Sequence, residues 1–372
     1  MQAYFSQRPQ QTAKTVWEQV KKAYYPQLKP ASRMYYERII GDIMEMLSQF
    51  PAEELNRPLS ETYLLGYYLQ QIIFIRKKRK NRRKTIMNVL QNKIDFMVLI
   101  SACGANVNGD PLNGNRPRTD YNGFGEMSDV CIKRKIRNRM QDLGHQIFVQ
   151  SEDRCDDGCG SLKERAEKMI GKAGKNQSSE EYAEKACNTW LDVRSFGQVF
   201  AFSGSEKKGE SVSVGVRGPV SIHQAVSISP VEIRSMQIAK SVNGAPSEKR
   251  SSDTMGMKHF VRFGLYLIKG AINVQLAEKT GFSEDDADIL KECLRTLFCN
   301  DASSARPEGS MEVEKVYWFR HNCKDGQYSS AKVHRSLQVT LKEDGKLPES
   351  VEDYDIRLVP LEGLEAEVID GV

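Results

Sequence analysis

The sequence predicts an α+β protein that is preceded by a small all-α segment. Apolar residues recur at helical spacing in residues 1–75, which indicates short amphipathic helices there. Residues 94–103 form an apolar, β-rich run that suits a buried strand, and a long loop and a helix follow it. Val212, Val214 and Val216 alternate with polar residues as a second, half-buried strand. Strands and helices therefore mix along the larger part of the chain, as they do in α+β proteins.

Length and composition indicate a soluble protein of two units. The chain has 372 residues, more than one domain usually contains. A hydrophobic content of 40% is enough for packed cores. No apolar run is long enough to cross a bilayer, and the N-terminus lacks the charged-then-apolar pattern of a secretion signal. The eight cysteines are scattered, which favours reduced thiols. We expect a cytoplasmic protein with no membrane partner.

Charge is distributed unevenly between the two parts of the chain. Residues 1–86 contain 16 Lys and Arg against 7 Asp and Glu, a net charge of +9. The remaining residues contain 38 against 42, a net charge of −4, and the two parts sum to the total of +5. If the larger part binds nucleic acid, it must do so through local basic patches and main-chain donors.

Residues 1–75 are predicted to form three short helices. The first ends at Pro26, the second runs from Ser32 to about Pro51, and the third begins at Ser60. Helices this short cover one another only partly, so their apolar faces need a partner in this chain or in a neighbouring subunit.

A basic linker is predicted at residues 76–86. Eight of the nine residues 76–84 are Lys or Arg, and charges this dense repel one another. This pattern is typical of a solvated, mobile linker. Contact with phosphate is the main alternative, and a nuclear-import signal is a minor one.

The larger part, residues 87–372, is predicted to contain strands, capped helices and long loops. A strand at Ile94–Cys103 precedes a loop at Asn106–Gly125 and a helix at Ser128–Gly144. Two later helices begin with a capping-box pattern, formed by Ser178 with Glu181 and by Ser283 with Asp286. Further strands are predicted at 312–319 and 335–341, and an exposed insertion at 241–256.

The helix at Ser128–Gly144 is predicted to be apolar on one side and basic on the other. The apolar stripe comprises Val130, Ile136, Met140 and Leu143. The basic residues fall on the remaining circumference and are Lys133, Arg134, Lys135, Arg137 and Arg139. Such a helix suits a phosphate backbone. A solvated surface helix has the same composition, and both interpretations stay open.

The loop before this helix is a second candidate for phosphate binding. Its glycines let the backbone approach a ligand, and consecutive amide groups can hold an anion. Arg116 and Arg118 flank Pro117, which keeps the chain extended so that both side chains can reach phosphates.

Metal-dependent RNA cleavage is the alternative function that the same region permits. Asp110, Asp120 and Asp129 lie near one another in sequence, and three carboxylates can hold a divalent metal. Aspartates in loops more often cap turns. Cys155 and Cys159 lack a second pair of ligands, and the chain contains no phosphate-loop or dinucleotide motif. We therefore expect binding without catalysis, with no cofactor and no metal.

Residues 87–372 resemble the type I-C CRISPR-associated backbone subunit, of the Cas-seven family of Cascade complexes. Long motifs carry the resemblance in the family's order. They are 88–96 (NVLQNKIDF), 106–118 (NVNGDPLNGNRPR), 128–137 (SDVCIKRKIR), 192–200 (DVRSFGQVF), 217–222 (RGPVSI), 253–259 (DTMGMKH) and 328–336 (YSSAKVHRS).

The resemblance implies an RNA-recognition-like (ferredoxin-like) palm with finger and thumb insertions, the thumb at about 236–258. It implies that several copies line up head to tail on one guide RNA (crRNA), whose bases stay free to pair with target DNA. The family works beside type I-C large, small and guide-end subunits and leaves cutting to a helicase-nuclease. These features imply a non-catalytic subunit of a complex for antiviral defence.

Guide-RNA contacts follow from the resemblance by motif position. The residues implied are Asn115, Arg116, Arg118, Lys133, Arg134, Arg137, Ser195, Phe196, Gly197, Arg217, Gln237, Lys240, Lys258 and His259. Phe196 is expected either to stack on a base or to be a core aromatic residue.

Residues 1–86 resemble the C-terminal helical part of the type I-C large subunit, which is also made separately as the small subunit. The motif 63–70 (YLLGYYLQ), which runs into a basic tail, carries this resemblance. Met87 stands where the backbone family's own chain would begin. Residues 1–86 are therefore expected to be either a true fusion or the product of a reading frame that runs through a stop and a start.

Overall fold

The fold is built around one apolar strand that is buried on both of its faces. The computed structural model describes residues 89–171, 178–201, 213–239, 255–343 and 345–372, all within the unit Arg83–Val372. The predictions for residues 1–75 and for the linker 76–86 lie outside the described residues, as does Lys240.

The strands of the described residues are β1 Ile94–Ala105, β2 Gly109–Asp110, β3 Arg116–Pro117, β4 Phe124–Met127, β5 Gly197–Ala201, β6 Ser213–Arg217, β7 Val220–Ile222, β8 Ala225–Pro230, β9 Ile233–Ala239, β10 Met255–Ile272, β11 Met311–Arg320, β12 Leu337–Leu341, β13 Tyr354–Leu358 and β14 Ala366–Asp370. The α-helices are α1 Asp129–Asp142, α2 Leu162–Ile170, α3 Ser179–Thr189, α4 Leu191–Phe196, α5 Val274–Thr280, α6 Glu284–Arg295 and α7 Ser330–His334. Short 3-10 helices lie at Pro111–Asn113, Glu152–Arg154 and Val351–Asp353.

One large antiparallel sheet organises these elements. Its strand order is β14-β11-β1-β10-β8-β4, and β7 and β9 pair with other stretches of β10. Strand β1 pairs antiparallel with both β10 and β11, in register from Ile94↔Ile272 and Ile94↔Arg320. A strand buried on both faces needs a nearly continuous apolar run, which is what residues 94–102 provide.

The two faces of the sheet carry separate cores. Phe96, Val98 and Ile100 of β1 face a core completed by α1, α5 and α6. Met97 and Leu99 face the other way, into a core completed by α7, β12 and β13. The alternation follows from the two-residue period of a strand.

A third core belongs to an insertion that we call the insert lobe, residues 146–171, 178–201 and 213–217. Helices α2, α3 and α4 and the β5–β6 hairpin surround its buried aromatic residues. The ring centroid of Phe148 lies 4.7 Å from that of Trp190 and 5.1 Å from that of Phe200, within the range for favourable aromatic pairs.

Local signals predicted several of these elements correctly. Ser128 caps α1, and both predicted capping boxes are formed, Ser178 with Glu181 and Ser283 with Asp286. The helix predicted after Ser178 is divided into α3 and α4, because Trp190 has an extended backbone conformation.

The predicted apolar stripe of α1 is wrong at both of its ends. Val130 is 69% exposed, and Leu143 is also exposed. The buried side consists of Ile132, Lys135, Ile136 and Met140. Within the described ranges, no helix is long and apolar enough to cross a bilayer.

Candidate nucleic-acid interface

The loop between β1 and α1 is folded into two tight turns. In the first, the Asp110 carboxylate accepts a hydrogen bond from the backbone N–H of Leu112 (3.2 Å) and pairs with the Arg118 guanidinium (3.2 Å). Asn115 closes this turn with a φ of 59°, in the left-handed region where asparagine is tolerated. The backbone carbonyl oxygen of Asn115 accepts a 2.6 Å hydrogen bond from the side-chain amide of Asn106. Asn115 therefore has a structural role besides the predicted RNA contact.

The loop aspartates serve turns and local ion pairs. One carboxylate oxygen of Asp120 accepts hydrogen bonds from the backbone N–H groups of Asn122 and Phe124, both at 2.8 Å. Asp129 pairs with Lys133 at 2.9 Å, and this hydrogen bond lowers the pKa of the Asp129 carboxyl. Among the described residues, no group of three or more His, Cys, Asp or Glu side chains is arranged to hold a metal ion.

Arg116 is the cation of this loop that has no partner in the described part of the chain. Its backbone pairs with Asp110 in the β2–β3 ladder, and its side chain is partly exposed. An arginine without an intramolecular partner keeps all its donors for a planar anion such as phosphate.

Strand β9 and the first half of β10 form a two-stranded ribbon, which we call the thumb ribbon (233–239 and 255–261). Residues on the two strands pair from Met255↔Ala239 to Val261↔Ile233. About half of the surface of each of four apolar side chains is exposed, and these are Met236, Ile238, Met255 and Met257.

The predicted thumb contacts lie on this ribbon. Gln237 and His259 face one side, and Lys258 faces the other, because side chains alternate along a strand. His259 Nδ1 lies 2.8 Å from the Ser235 hydroxyl, and the Gln237 amide donates to the sulfur of Met255 at 3.0 Å. Lys258 has no hydrogen-bond or ion-pair partner among the described residues.

The predicted basic side of α1 is wrong at Lys135, which belongs to the buried side of the helix. Lys135 is only 3% exposed and pairs with Asp301, and burial lowers the pKa of its amine. Arg134 donates to the carbonyl oxygen of Val149 at 2.7 Å. Burial, with the neighbouring charge of Arg137, lowers the pKa of Arg134.

The other basic residues of α1 also have partners within the chain. Arg137 Nε donates to Asp192 at 2.9 Å, and Arg139 Nε donates to the Thr296 hydroxyl at 2.7 Å. Lys133 pairs with Asp129. This helix therefore fixes neighbouring segments in place, and RNA contact by Lys133, Arg134 or Arg137 stays a prediction.

The end of α4 forms a tight crossing with the segment after β6. Gly197 pairs with Arg217, and a Cβ atom on Gly218 would lie 2.4 Å from the Gly197 nitrogen and from the Ser195 carbonyl oxygen. No Cβ fits at that distance, so Gly218 has to be glycine. Gly197 itself has a φ of 80°, which also favours glycine.

The residues predicted around this crossing have different surroundings. Ser195 is fully buried, and its hydroxyl donates to the Leu191 carbonyl oxygen at 2.7 Å, so its side chain does not reach the surface. Phe196 is partly buried against the main core, and its ring centroid lies 5.1 Å from the Arg137 guanidinium. Arg217 is exposed and has no side-chain partner in the described ranges.

The structure collects the predicted residues into two groups. In the first, β3 of the loop lies against β10, and Val231 N–H donates to the Gly123 carbonyl oxygen at 2.9 Å, so the loop adjoins the base of the thumb ribbon. In the second, Arg137, Phe196, Gly197 and Arg217 follow one another in direct contact. Each group contains at least one basic side chain without a partner among the described residues.

Sequence reasoning missed the residues that hold the second group together. Asp192 is fully buried and accepts three hydrogen bonds, and Gly218 permits the crossing. Both lie inside motifs that carry the family resemblance. An aspartate within an otherwise apolar stretch was the signal for a buried polar anchor.

Comparison with protein families finds two matches in this chain. A family model described as CRISPR-associated protein Cas7 matches residues 92–359. A second model, described as CRISPR-associated protein (Cas_Csd1), matches residues 1–75. A curated relative, the CRISPR-associated protein Cas7 of Haloferax volcanii, is 23% identical over 260 residues, and the match covers 67% of this chain and 75% of that protein.

Solved structures with similarity to the chain include two from CRISPR complexes. One is titled CRISPR RNA-guided surveillance complex, pre-nicking; it is 15% identical, with a TM-score of 0.40, over 65% of this chain and 81% of that chain. The other is titled CRISPR RNA-guided surveillance complex; it is 17% identical, with a TM-score of 0.39, over 68% of this chain and 77% of that chain.

Proposed function

This chain belongs to the family of the CRISPR-associated protein Cas7, and on that premise we propose that it is a non-catalytic backbone subunit that binds a guide RNA. Several copies bind one guide head to tail and leave its bases free to pair with target DNA. The observation that supports this proposal most is that three basic side chains have no partner among the described residues. Arg116 of the loop and Lys258 of the thumb ribbon are partly exposed, and Arg217 at the glycine crossing is exposed.

Contacts of this kind suit a protein that holds RNA without reading its sequence. Arginine and lysine bind phosphate whatever the base, and the base edges stay available for Watson–Crick pairing. A surface built from a few such groups does not need a positive total charge, and this explains how residues 87–372 can be slightly acidic and still bind RNA.

We further propose that the complex is of type I-C and that the central sheet of this chain forms an RNA-recognition-like palm. The match of residues 1–75 to the Cas_Csd1 model supports the subtype. The chain order β1, α1, β8, β10, α6, β11 with the spatial order β11-β1-β10-β8 supports the palm, because this is the split βαβ arrangement. The further partners are then the large, small and guide-end subunits and the helicase-nuclease.

Charge reversal tests the proposed interface. The triple variant Arg116→Glu, Arg217→Glu and Lys258→Glu is compared with a control triple that reverses the exposed residues Lys185, Lys279 and Arg357. Binding of labelled single-stranded RNA should weaken by at least about tenfold in the first triple and far less in the second. An equal effect of both triples would show that only net charge matters and would contradict the interface.

Metal-dependent RNA cleavage is the rival function. It is tested by incubating the assembled protein with labelled target RNA and Mg²⁺. Intact RNA is expected, because Asp110, Asp120 and Asp129 are occupied by turns and local ion pairs. Cleavage that disappears on Asp→Ala replacement at one of these positions would favour the rival.

A further inference from the structure

We propose that Arg137 and Asp192 are positioning residues: their buried ion pair fixes the insert lobe to helix α1 and thereby places Arg217 against phosphate. Arg137 itself does not bind RNA. This inference rests on the proposed function, and it assigns different roles to two basic residues that sequence motifs alone do not distinguish.

Asp192 has the surroundings of a structural anchor. It is fully buried, and it accepts hydrogen bonds from Arg137 Nε (2.9 Å) and from the backbone N–H groups of Phe148 (2.7 Å) and Val149 (3.1 Å). Phe148 and Val149 belong to the insert lobe, and Arg137 belongs to α1. One carboxylate therefore joins the two.

Arg137 cannot leave this carboxylate without a large cost. Its side chain is 13% exposed, and Asp192 is 0% exposed. Moving the guanidinium to a phosphate would leave a buried carboxylate without its counter-charge, which is strongly unfavourable. The ordinary exposed ion pair, by contrast, exchanges partners at little cost.

A continuous set of contacts leads from this ion pair to Arg217. The Arg137 guanidinium packs on the ring of Phe196, and Gly197 follows directly in the chain. Gly197 is the strand partner of Arg217, and Gly218 crosses so closely that it leaves no room for a Cβ atom. The position of Arg217 therefore depends on where Phe196 and Gly197 are held.

Two further contacts hold the same junction. Arg134 of α1 donates to the Val149 carbonyl oxygen at 2.7 Å. Arg194 of α4 makes two hydrogen bonds of 2.8 Å with Asp286 at the start of α6. At the end of this junction, Arg217 is exposed and has no partner among the described residues, so it is the cation available to RNA.

Asp192→Asn tests the inference, because the two roles of Arg137 predict opposite signs. If Arg137 bound phosphate, neutralising its competing carboxylate would release it and strengthen binding. If the pair positions the lobe, Asp192→Asn weakens binding of a labelled single-stranded RNA by about tenfold. Unchanged or tighter binding would overturn the proposal.

The salt dependence of binding provides a second readout. The slope of log K against log salt falls by about 0.7 for each phosphate of single-stranded RNA that the protein no longer neutralises. Arg217→Met should lower the slope by about this amount. Arg137→Met, which keeps the apolar contact with Phe196, should lower the slope by no more than Arg217→Met does, because both changes remove the same Arg217 contact. In a chain that already carries Arg217→Met, adding Arg137→Met should leave the slope unchanged, and a further fall of about 0.7 would overturn the positioning role.

Hydrogen exchange separates positioning from general unfolding. In Arg137→Met, amide exchange should accelerate at Phe148 and Val149, while the amides of β1 keep their protection. If Asp192→Asn fails to fold, the double variant Arg137→Met, Arg217→Met decides the question when its slope is compared with that of Arg217→Met alone. The exposed replacement Lys185→Gln on α3 is the matched control within the insert lobe. If the wild-type chain binds no RNA at any salt concentration, the proposed function itself fails.

Discussion

At the residue scale, burial decides what each charged side chain does. Asp95 at the start of β1 is fully buried, and its carboxylate lies 2.8 Å from His321 Nε2 and 3.1 Å from Lys93 Nζ. The backbone N–H of Gln327 donates to His321 Nδ1, so Nε2 carries the hydrogen that Asp95 accepts. This pair joins β1 to the segment after β11. Arg116, which is partly exposed, and Arg217, which is exposed, have no such partner within the described chain.

Asp95→Asn should destabilise the protein by about 3–5 kcal/mol at neutral pH, because it removes one partner of a buried charged network. Denaturant unfolding measures this. The exposed pair of Lys324 with Glu278 is the control, and Glu278→Gln should cost at most about 1 kcal/mol. Similar losses of stability in Asp95→Asn and Glu278→Gln would contradict the idea that burial makes the Asp95 ion pair important for stability.

The loss in free energy of unfolding that Asp95→Asn causes should become smaller in acid. Burial acts to raise the pKa of Asp95, but hydrogen bonds from His321 and Ser330 and the charge of Lys93 bring it below its ordinary value of 3.8. A carboxyl whose pKa is lower in the folded state stabilises that state above the ordinary pKa, and the contribution is lost as the pH falls through the folded-state pKa. The wild type and the variant should therefore converge below about pH 4. A constant difference from pH 7 to pH 3 would contradict this.

Gly218→Ala should destabilise the insert lobe by about 1–3 kcal/mol, because the new Cβ overlaps backbone atoms of Ser195, Phe196 and Gly197. Gly215, on neighbouring β6, has nothing within 4 Å of its would-be Cβ atom, so Gly215→Ala is the matched control. Thermal unfolding compares the two. Equal thermal unfolding midpoints for Gly218→Ala and Gly215→Ala would show that the backbone at the crossing can move to accommodate a Cβ atom.

At the scale of elements, sequence was informative where the signal was local. The apolar run predicted β1, and Ser128, Ser178 and Ser283 predicted helix starts, because caps and strand patterns depend on neighbouring residues. The orientation of α1 was not predictable in this way. Lys135 finds its partner 166 residues away, and Arg137 finds its partner 55 residues away.

The candidate site was predictable only in part, for the same reason. Motifs selected Arg116, Arg217 and Lys258, which are basic side chains without partners in the described ranges. They also selected Arg137 and Ser195, whose surroundings depend on tertiary contacts that one sequence does not reveal. Whether any of these residues contacts RNA stays a prediction.

The thumb ribbon should contribute to assembly more than to folding. Its exposed apolar side chains add little to stability, and replacing Met236, Ile238, Met255 and Met257 by threonine keeps a residue that favours strands. The thermal midpoint should change little, whereas the number of copies bound per RNA falls. Val368→Thr on exposed β14 is the control. Unchanged assembly would show that the ribbon has no partner in the complex.

At the scale of the whole molecule, the described unit combines a central sheet with the insert lobe and the thumb ribbon. The sheet has a separate core on each face, and the insert lobe has a core of its own. The cations without a partner in the described ranges lie in the loop before α1 (Arg116), in the insert lobe (Arg217) and in the thumb ribbon (Lys258). An open chain of copies joins two different surfaces of the same protein, and repetition of such a contact produces a helical filament. The insert lobe and the thumb ribbon are two different segments of one unit, which suits that arrangement.

We propose that many copies of this chain bind one RNA and leave it intact. Native mass spectrometry of the full chain with labelled single-stranded RNAs of increasing length, in the presence of Mg²⁺, tests it most directly. We expect a series of complexes that differ by one protein mass, with more copies on longer RNA and every RNA at its original mass. One copy per RNA at all lengths, or RNA shortened in the presence of Mg²⁺, would contradict it.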